Sequence, residues 1–213
     1  MPARPTIGFI GLGLMGQAFT KRLVATGYTV TGFDIVAEKV EQATKHGVVA
    51  ATSSAEVTSK SDLVLLCVVS TDAVHEVVFG SSGVVESASA GKVLVDHSTT
   101  IMANTKVMAD ALRERSGMGW VDAPVSGGPP AAEAGTLAIM AGGGDSDIAR
   151  ITPLMEDLAG TFTHLGGVGA GQVTKMVNQI LVLNNYCVLA EALALAEAAG
   201  IDTSKIPEAL AAG

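Results

Sequence analysis

Lys175 and Asn178 stand one helical turn apart in the run Gly166-Gly-Val-Gly-Ala-Gly-Gln-Val-Thr-Lys-Met-Val-Asn-Gln179. A lysine can give or take a proton at a reacting oxygen when its amine is held there, and burial beside a positive charge lowers its pKa toward neutrality. Asn178, three positions later, shares the helix face and can orient the amine or a substrate; Gln179 offers a second amide next to it. A surface lysine near a helix start has the same pattern. A cation there opposes the helix dipole, however, so something must compensate for it.

A second run, Asp122-Ala-Pro-Val-Ser126-Gly127-Gly128-Pro129, follows an apolar stretch. Gly127 and Gly128 can present bare backbone amides to a carboxylate, with the Ser126 hydroxyl beside them, and such a nest suits an anionic substrate end. A plain Gly-Pro turn also fits. Two histidines are rival proton donors. His97 lies at a strand end near the expected reaction centre. His164, in a short strand without a charged neighbour in sequence, reads as structural.

The third run is N-terminal: Thr6-Ile-Gly-Phe-Ile-Gly11-Leu12-Gly13-Leu14-Met15-Gly16. It reads as a strand, a tight turn and a helix start. Gly11 would make the turn, Gly13 would let a pyrophosphate approach the backbone, and Gly16 would let the helix pack on the strand, with the helix amides supplying partial positive charge. Asp34 falls at the end of the next strand, where a carboxylate can bond the ribose hydroxyls of an adenosine and repel a 2′-phosphate. No arginine follows it closely and Lys39 is the nearest cation, so the pattern favours NAD over NADP. On the same side of the predicted sheet lie Val68 and Val69, then Ser98 and Thr99, which can bond the nicotinamide end or cap the next helix.

The elements that must position these residues alternate. Ile7–Ile10, Thr29–Phe33, Leu63–Val69 and Val93–Val95 read as buried parallel strands. The spacing predicts helices over Met15–Thr26, Ala37–Lys45, Thr71–Val78 and Met102–Arg115. That rhythm means βαβ units and a doubly wound α/β sheet. Trp120–Ala123, Thr136–Ala141 and Thr161–Leu165 are further strand candidates. A helix is expected over Ser146–Leu158, capped by Asp145 or Ser146. One long apolar helix then runs from about Ala170 to Ala199, with Gly200 as its stop, and a new helix starts near Thr203. Residues 1–167 read as a dinucleotide-binding domain. Residues 168–213 read as an interdomain helix and the start of an all-α C-terminal domain that ends early.

The 213 residues are 48% hydrophobic, enough for a large core, and only 4% aromatic, so that core rests on Val, Leu, Ala, Met and Ile. A net charge of −8 argues against a nucleic-acid partner. Cys67 and Cys187 read as reduced core thiols, neither a disulfide framework nor a metal site. Residues 180–199 are apolar but contain Asn184, Asn185, Glu191 and Glu197. They read as a buried helix of a soluble protein, not as a membrane span. With no signal peptide read at the N-terminus, the expected compartment is the cytoplasm. A helix apolar nearly all round must be covered, and the residues after it are too few to do so; either a C-terminal part that this chain lacks covers it or a partner subunit does, and the second predicts a homo-oligomer, dimer or tetramer, formed through the C-terminal helices.

With these three motifs in this order, the chain resembles the β-hydroxyacid dehydrogenase family over essentially its whole length. The resemblance implies a Rossmann-type domain, a long interdomain helix, Lys175 as the catalytic general acid/base, and Ser126, Gly127 and Gly128 as the substrate-carboxylate loop. The implied substrates are short 3-hydroxy acids: 3-hydroxyisobutyrate-like, glycerate-like or threonate-like. Many members place asparagine four residues after the lysine; here Asn178 precedes Gln179, so either amide is a substrate contact. Members also continue through more of a helical domain. Two other readings stand beside this one: a truncated, non-catalytic dinucleotide-binding protein, and a related imine reductase, a group that usually replaces the lysine.

Overall fold

The computed structural model describes residues 4–211 and divides into two compact bodies, Met1–Lys175 and Met176–Gly213. In the first body, β1 (Ile7–Ile10), α1 (Leu14–Ala25), β2 (Val30–Phe33), α2 (Ala37–Thr44), β3 (Val49–Ala50) and α3 (Ser54–Ser59) are followed by β4 (Leu63–Leu66), α4 (Thr71–Phe79), β5 (Val93–Asp96), α5 (Met102–Ser116) and β6 (Gly119–Asp122). The six strands form a wholly parallel sheet in the order β3-β2-β1-β4-β5-β6. This is the doubly wound sheet expected from the alternation of apolar runs and helical patterns.

Each central strand is apolar on both sides because helices cover both faces. Phe9, Leu65 and Val95 pack with Phe19 and Leu23 of α1. Ile10, Leu66 and Leu94 pack on the opposite face with Val74 and Val78 of α4, Met108 and Leu112 of α5, and Trp120. α5 stops at Gly117, which adopts φ 73°, a left-handed C-terminal stop that glycine takes without cost.

A second sheet was not anticipated. After β6 come β7 (Val125–Ser126), α6 (Gly128–Ala134), β8 (Leu137–Ala141), α7 (Asp145–Leu158) and β9 (Ala159–His164). The three strands pair as β7-β8-β9, the first pair antiparallel and the second parallel. β7 and β3 escape sequence reading because two residues carry no periodicity. The α7 cap also differs from expectation. Gly144 is the N-cap, without a side-chain hydrogen bond, and Asp145 and Asp147 lie within the first turn, where their charge still suits the helix dipole.

α8 (Ala170–Ala198) begins in the first body and continues through the second, where a 3-10 turn at Thr203–Lys205 and α9 (Ile206–Leu210) follow. The Asp202 side chain accepts from Ser204 N and caps that turn. By length and composition α8 could cross a bilayer. The expectation that it is buried is overturned: Ile180, Leu181, Tyr186, Val188 and Leu195 are all more than half exposed. Its apolar residues are spread around the helix, not gathered in one stripe, so no single packing layer can take them. Cys187 on this helix is likewise exposed and not a core thiol, while Cys67 is half-buried; both are free.

Candidate functional site

The sheet order reverses between β1 and β4, the place where open α/β sheets leave a crevice beyond their strand ends. The Gly11–Gly13 turn stands there. A Cβ on Gly16 would strike the Gly11 carbonyl oxygen, so the close helix–strand approach requires glycine. A Cβ on Gly13 would meet nothing within 4 Å. Gly13 is the N-cap of α1, offers no capping side chain, and no acid follows in the first turn. Among the described residues, the opening amides of α1 therefore have no side-chain competitor for an anion. Leu12 is buried beneath the turn and Leu14 is 83% exposed above it.

Asp34 does more than its position suggested. Its Oδ2 accepts from Leu12 N at 2.7 Å and its Oδ1 from Val36 N at 2.9 Å, while Lys39 Nζ lies 3.7 Å from Oδ1. The carboxylate thus locks the glycine turn to the end of β2 and stands beside a cation. Gly11, Gly13, Asp34, Lys39, Val68 and Val69 line one cleft of about 220 Å³.

A second cleft, of about 400 Å³, shares Val68 and Val69 and continues past Met15, His97, Ser98 and Thr99 to Ser126, Gly127, Gly128 and Lys175. The structure therefore brings the sequence-predicted residues of the first body along one continuous crevice. Within it, Ser98 serves the scaffold: its Oγ accepts from Val68 N at 3.0 Å and its own N–H donates to Asp96 Oδ1. Thr99 beside it is exposed. Gly127 and Gly128 adopt φ 124° and 69°, a backbone course that side-chain-bearing residues resist. β7 pins this loop against β8, with Ser126 opposite Ala138.

Lys175 is half-buried and donates from Nζ to the Val125 carbonyl oxygen at 2.8 Å. Burial holds its pKa below the ordinary lysine value. His97 is the weaker proton donor. Its Nδ1 donates to the Ala123 carbonyl at 2.7 Å, its ring stacks on Phe19, and burial pushes its pKa down to about 4, so it is neutral near pH 7. His164 Nε2 bonds the Gly143 and Gly166 carbonyls, a structural role.

The start of α8 is held by residues that sequence reading did not single out. Asp122 Oδ1 accepts from Gly169 N at 2.6 Å and its Oδ2 from Gln172 N at 2.9 Å. The Gln172 side chain, 1% exposed, donates from Nε2 to Ser98 O at 2.8 Å and accepts at Oε1 from Thr100 N at 3.0 Å. Asp122 was visible as the head of the Ser-Gly-Gly motif, but a lone glutamine inside a helix gives no signal until its partners, about seventy residues away, are known. Burial raises Asp122 to about 6 despite its amide donors, and raises its strand neighbour Asp96 to about 7. Burial also lifts the Cys67 thiol to about 12, which leaves it protonated and unreactive. Asn178 and Gln179 lie in the second body, three and four residues past Lys175 on α8.

Known proteins share this fold and these motifs. Residues 6–166 match the model for the NAD binding domain of 6-phosphogluconate dehydrogenase, and residues 169–213 match that for the NAD-binding region of NADP-dependent 3-hydroxyisobutyrate dehydrogenase. The 2-hydroxy-3-oxopropionate reductase of Escherichia coli K12 is 38% identical over 209 residues, covering 97% of this chain and 70% of that protein. The solved structure of Mycobacterium tuberculosis 3-hydroxyisobutyrate dehydrogenase with L-serine superposes with a TM-score of 0.88 at 32% identity, covering 99% of this chain and 71% of that one. An imine reductase from Pseudomonas sp. shares the fold alone, with a TM-score of 0.83 at 21% identity over 95% of this chain and 69% of that one. The chain belongs to the β-hydroxyacid dehydrogenase family, oxidoreductases that act on the CH–OH group of hydroxy acids with a nicotinamide cofactor.

Proposed function

We propose that this chain is an NAD-linked dehydrogenase of a short 3-hydroxy acid, with Lys175 as its general acid/base. The observation that carries the reading is the shared cleft: Lys175, the Ser126–Gly128 loop and the Met15, Ser98 and Thr99 end of the dinucleotide crevice line one space. Gly11 to Gly16 and Asp34 hold the cofactor's pyrophosphate and adenosine ribose, and Val68, Val69, Ser98 and Thr99 lie along its nicotinamide end. The nicotinamide supplies hydride exchange with the carbinol carbon. Ser126 and the glycine amides hold the substrate carboxylate. Lys175 takes the hydroxyl proton in oxidation and returns it in reduction. Asp34 supports NAD over NADP; Lys39 beside it is the group that would weaken the preference.

The same reading makes the dinucleotide-binding domain residues 1–167 and the helical part residues 168–213, in a cytoplasmic protein. It takes a small carboxylate and assembles as a homo-oligomer through the exposed apolar residues of α8; its net charge of −8 argues only against a nucleic-acid partner. The test is turnover of NAD and of NADP with 3-hydroxyisobutyrate, glycerate, threonate and serine, followed by absorbance of the reduced nicotinamide. NAD-linked oxidation of one of the four is the expected result. Tight NADH binding without turnover of any would replace this reading with that of a non-catalytic dinucleotide-binding protein.

A further inference from the structure

We propose that Gln172 and Asp122 are positioning residues for Lys175, acting together as a strap between the start of α8 and the ends of β5 and β6. The inference rests on the acid/base reading of Lys175. Asp122, the last residue of β6, accepts the Gly169 and Gln172 amides through its two carboxylate oxygens. This fixes the height and rotation of the first turn of α8. Gln172 then reaches sideways and uses both ends of its amide on one segment, the Ser98 carbonyl and the Thr100 N–H. That segment includes Thr99, which lines the cleft with Lys175. Gln172 lies three residues before Lys175, so the amine and the Ser98–Thr100 wall are joined through a single buried side chain.

The consequence is geometric. A reacting carbon between the Ser98–Thr100 wall and the lysine must be met from both sides at fixed separations, and displacement of about 1 Å costs on the order of 100-fold in rate. In α8, Lys175 Nζ meets only the Val125 carbonyl among its hydrogen bonds, and that bond does not set the helix against β5. The strap does. A side chain that merely filled the core would, on removal, lower stability and leave the titration of Lys175 where it was.

The experiment compares the 213-residue protein with its Gln172→Met and Asp122→Asn variants. The first readout is the pKa of the Lys175 amine, from the pH dependence of its carbamylation by cyanate, resolved by peptide mass spectrometry with added Nα-acetyl-lysine as the reference amine. In the parent, Lys175 should titrate below that reference. In Gln172→Met it should move back toward the reference, with a smaller move in Asp122→Asn, which keeps one acceptor. The second readout is turnover, expected to fall about 10- to 100-fold in Gln172→Met with little change in the KM for cofactor. An unchanged Lys175 titration in either folded variant overturns the strap. So does a parent Lys175 that titrates like the reference amine. If the parent turns over no substrate, or Lys175→Ala is as fast as the parent, the dehydrogenase reading fails, and the carbamylation result still decides the strap on its own.

Discussion

The amine of Lys175 is hydrogen-bonded to the carbonyl oxygen of Val125 at 2.8 Å, the residue just before the Ser126–Gly128 loop. The proposed proton donor and the proposed carboxylate loop are therefore tied directly to each other. Replacing Lys175 with alanine removes the proposed proton path and leaves the glycine turn and Asp34 untouched. Turnover should drop by roughly 10²- to 10⁴-fold, while NADH affinity, read by fluorescence titration, stays within about threefold. Parent-like turnover in the alanine variant would remove Lys175 from the chemistry.

The depressed pKa of Lys175 gives the pH dependence a sign. With Lys175 as the proposed general base, oxidation needs the neutral amine, so its kcat/KM should rise with pH through the Lys175 pKa and level off above it. Reduction needs the ammonium, so its rate should fall over the same interval. Because burial lowers that pKa, the limb lies below the ordinary lysine range. His97, held neutral down to about pH 4, contributes no limb near pH 6.5. Profiles in both directions check this, and a limb near 6.5 that disappears in His97→Asn would transfer the proton role to His97.

The sheet and the crevice that holds the candidate residues were legible because the motifs are local. The strand, turn and helix around Gly11 to Gly16, and Asp34 one βαβ step later, announce themselves by spacing, and the parallel sheet follows from apolar runs buried on both faces. Three features were hidden, each for a physical reason. Asp34 bonds the Leu12 and Val36 amides, a contact that exists only after β1 and β2 pair. Gln172 finds its partners at Ser98 and Thr100 across the fold. The β7-β8-β9 sheet depends on an antiparallel pair of two residues, Val125 and Ser126, too short to show alternation. Exposure of α8 was misread because apolar composition predicts that a surface will be covered, without saying by what.

Asp96 and Asp122 end adjacent strands and face each other in register, and burial raises them to about 7 and about 6. A carboxyl whose folded pKa lies above its unfolded value binds more protons in the folded state. Its stabilising contribution is complete below about pH 4 and is lost as pH rises through the folded pKa. For Asp96 the loss spans about pH 4 to 7, and for Asp122 about pH 4 to 6. Asp96→Asn is neutral throughout and keeps an oxygen for the Ser98 N–H. Its melting temperature relative to the parent should therefore improve as the pH is raised from 5 to 8. A parallel offset at both pH values would mean that Asp96 does not titrate in this window.

Gly13 and Gly16 separate packing from ligand binding within one turn. A Cβ at Gly16 would run into the Gly11 carbonyl, whereas a Cβ at Gly13 would meet nothing within 4 Å, and Gly13 has φ −70° and ψ −163°, which alanine tolerates. Gly16→Ala should thus destabilise the fold by about 1–3 kcal/mol through overpacking, seen in urea unfolding. Gly13→Ala should leave the unfolding midpoint almost unchanged yet weaken NADH binding by about tenfold or more, since the only thing its methyl obstructs is a pyrophosphate approaching the α1 amides. Equal NADH affinity in Gly13→Ala and the parent would place the pyrophosphate elsewhere in the crevice.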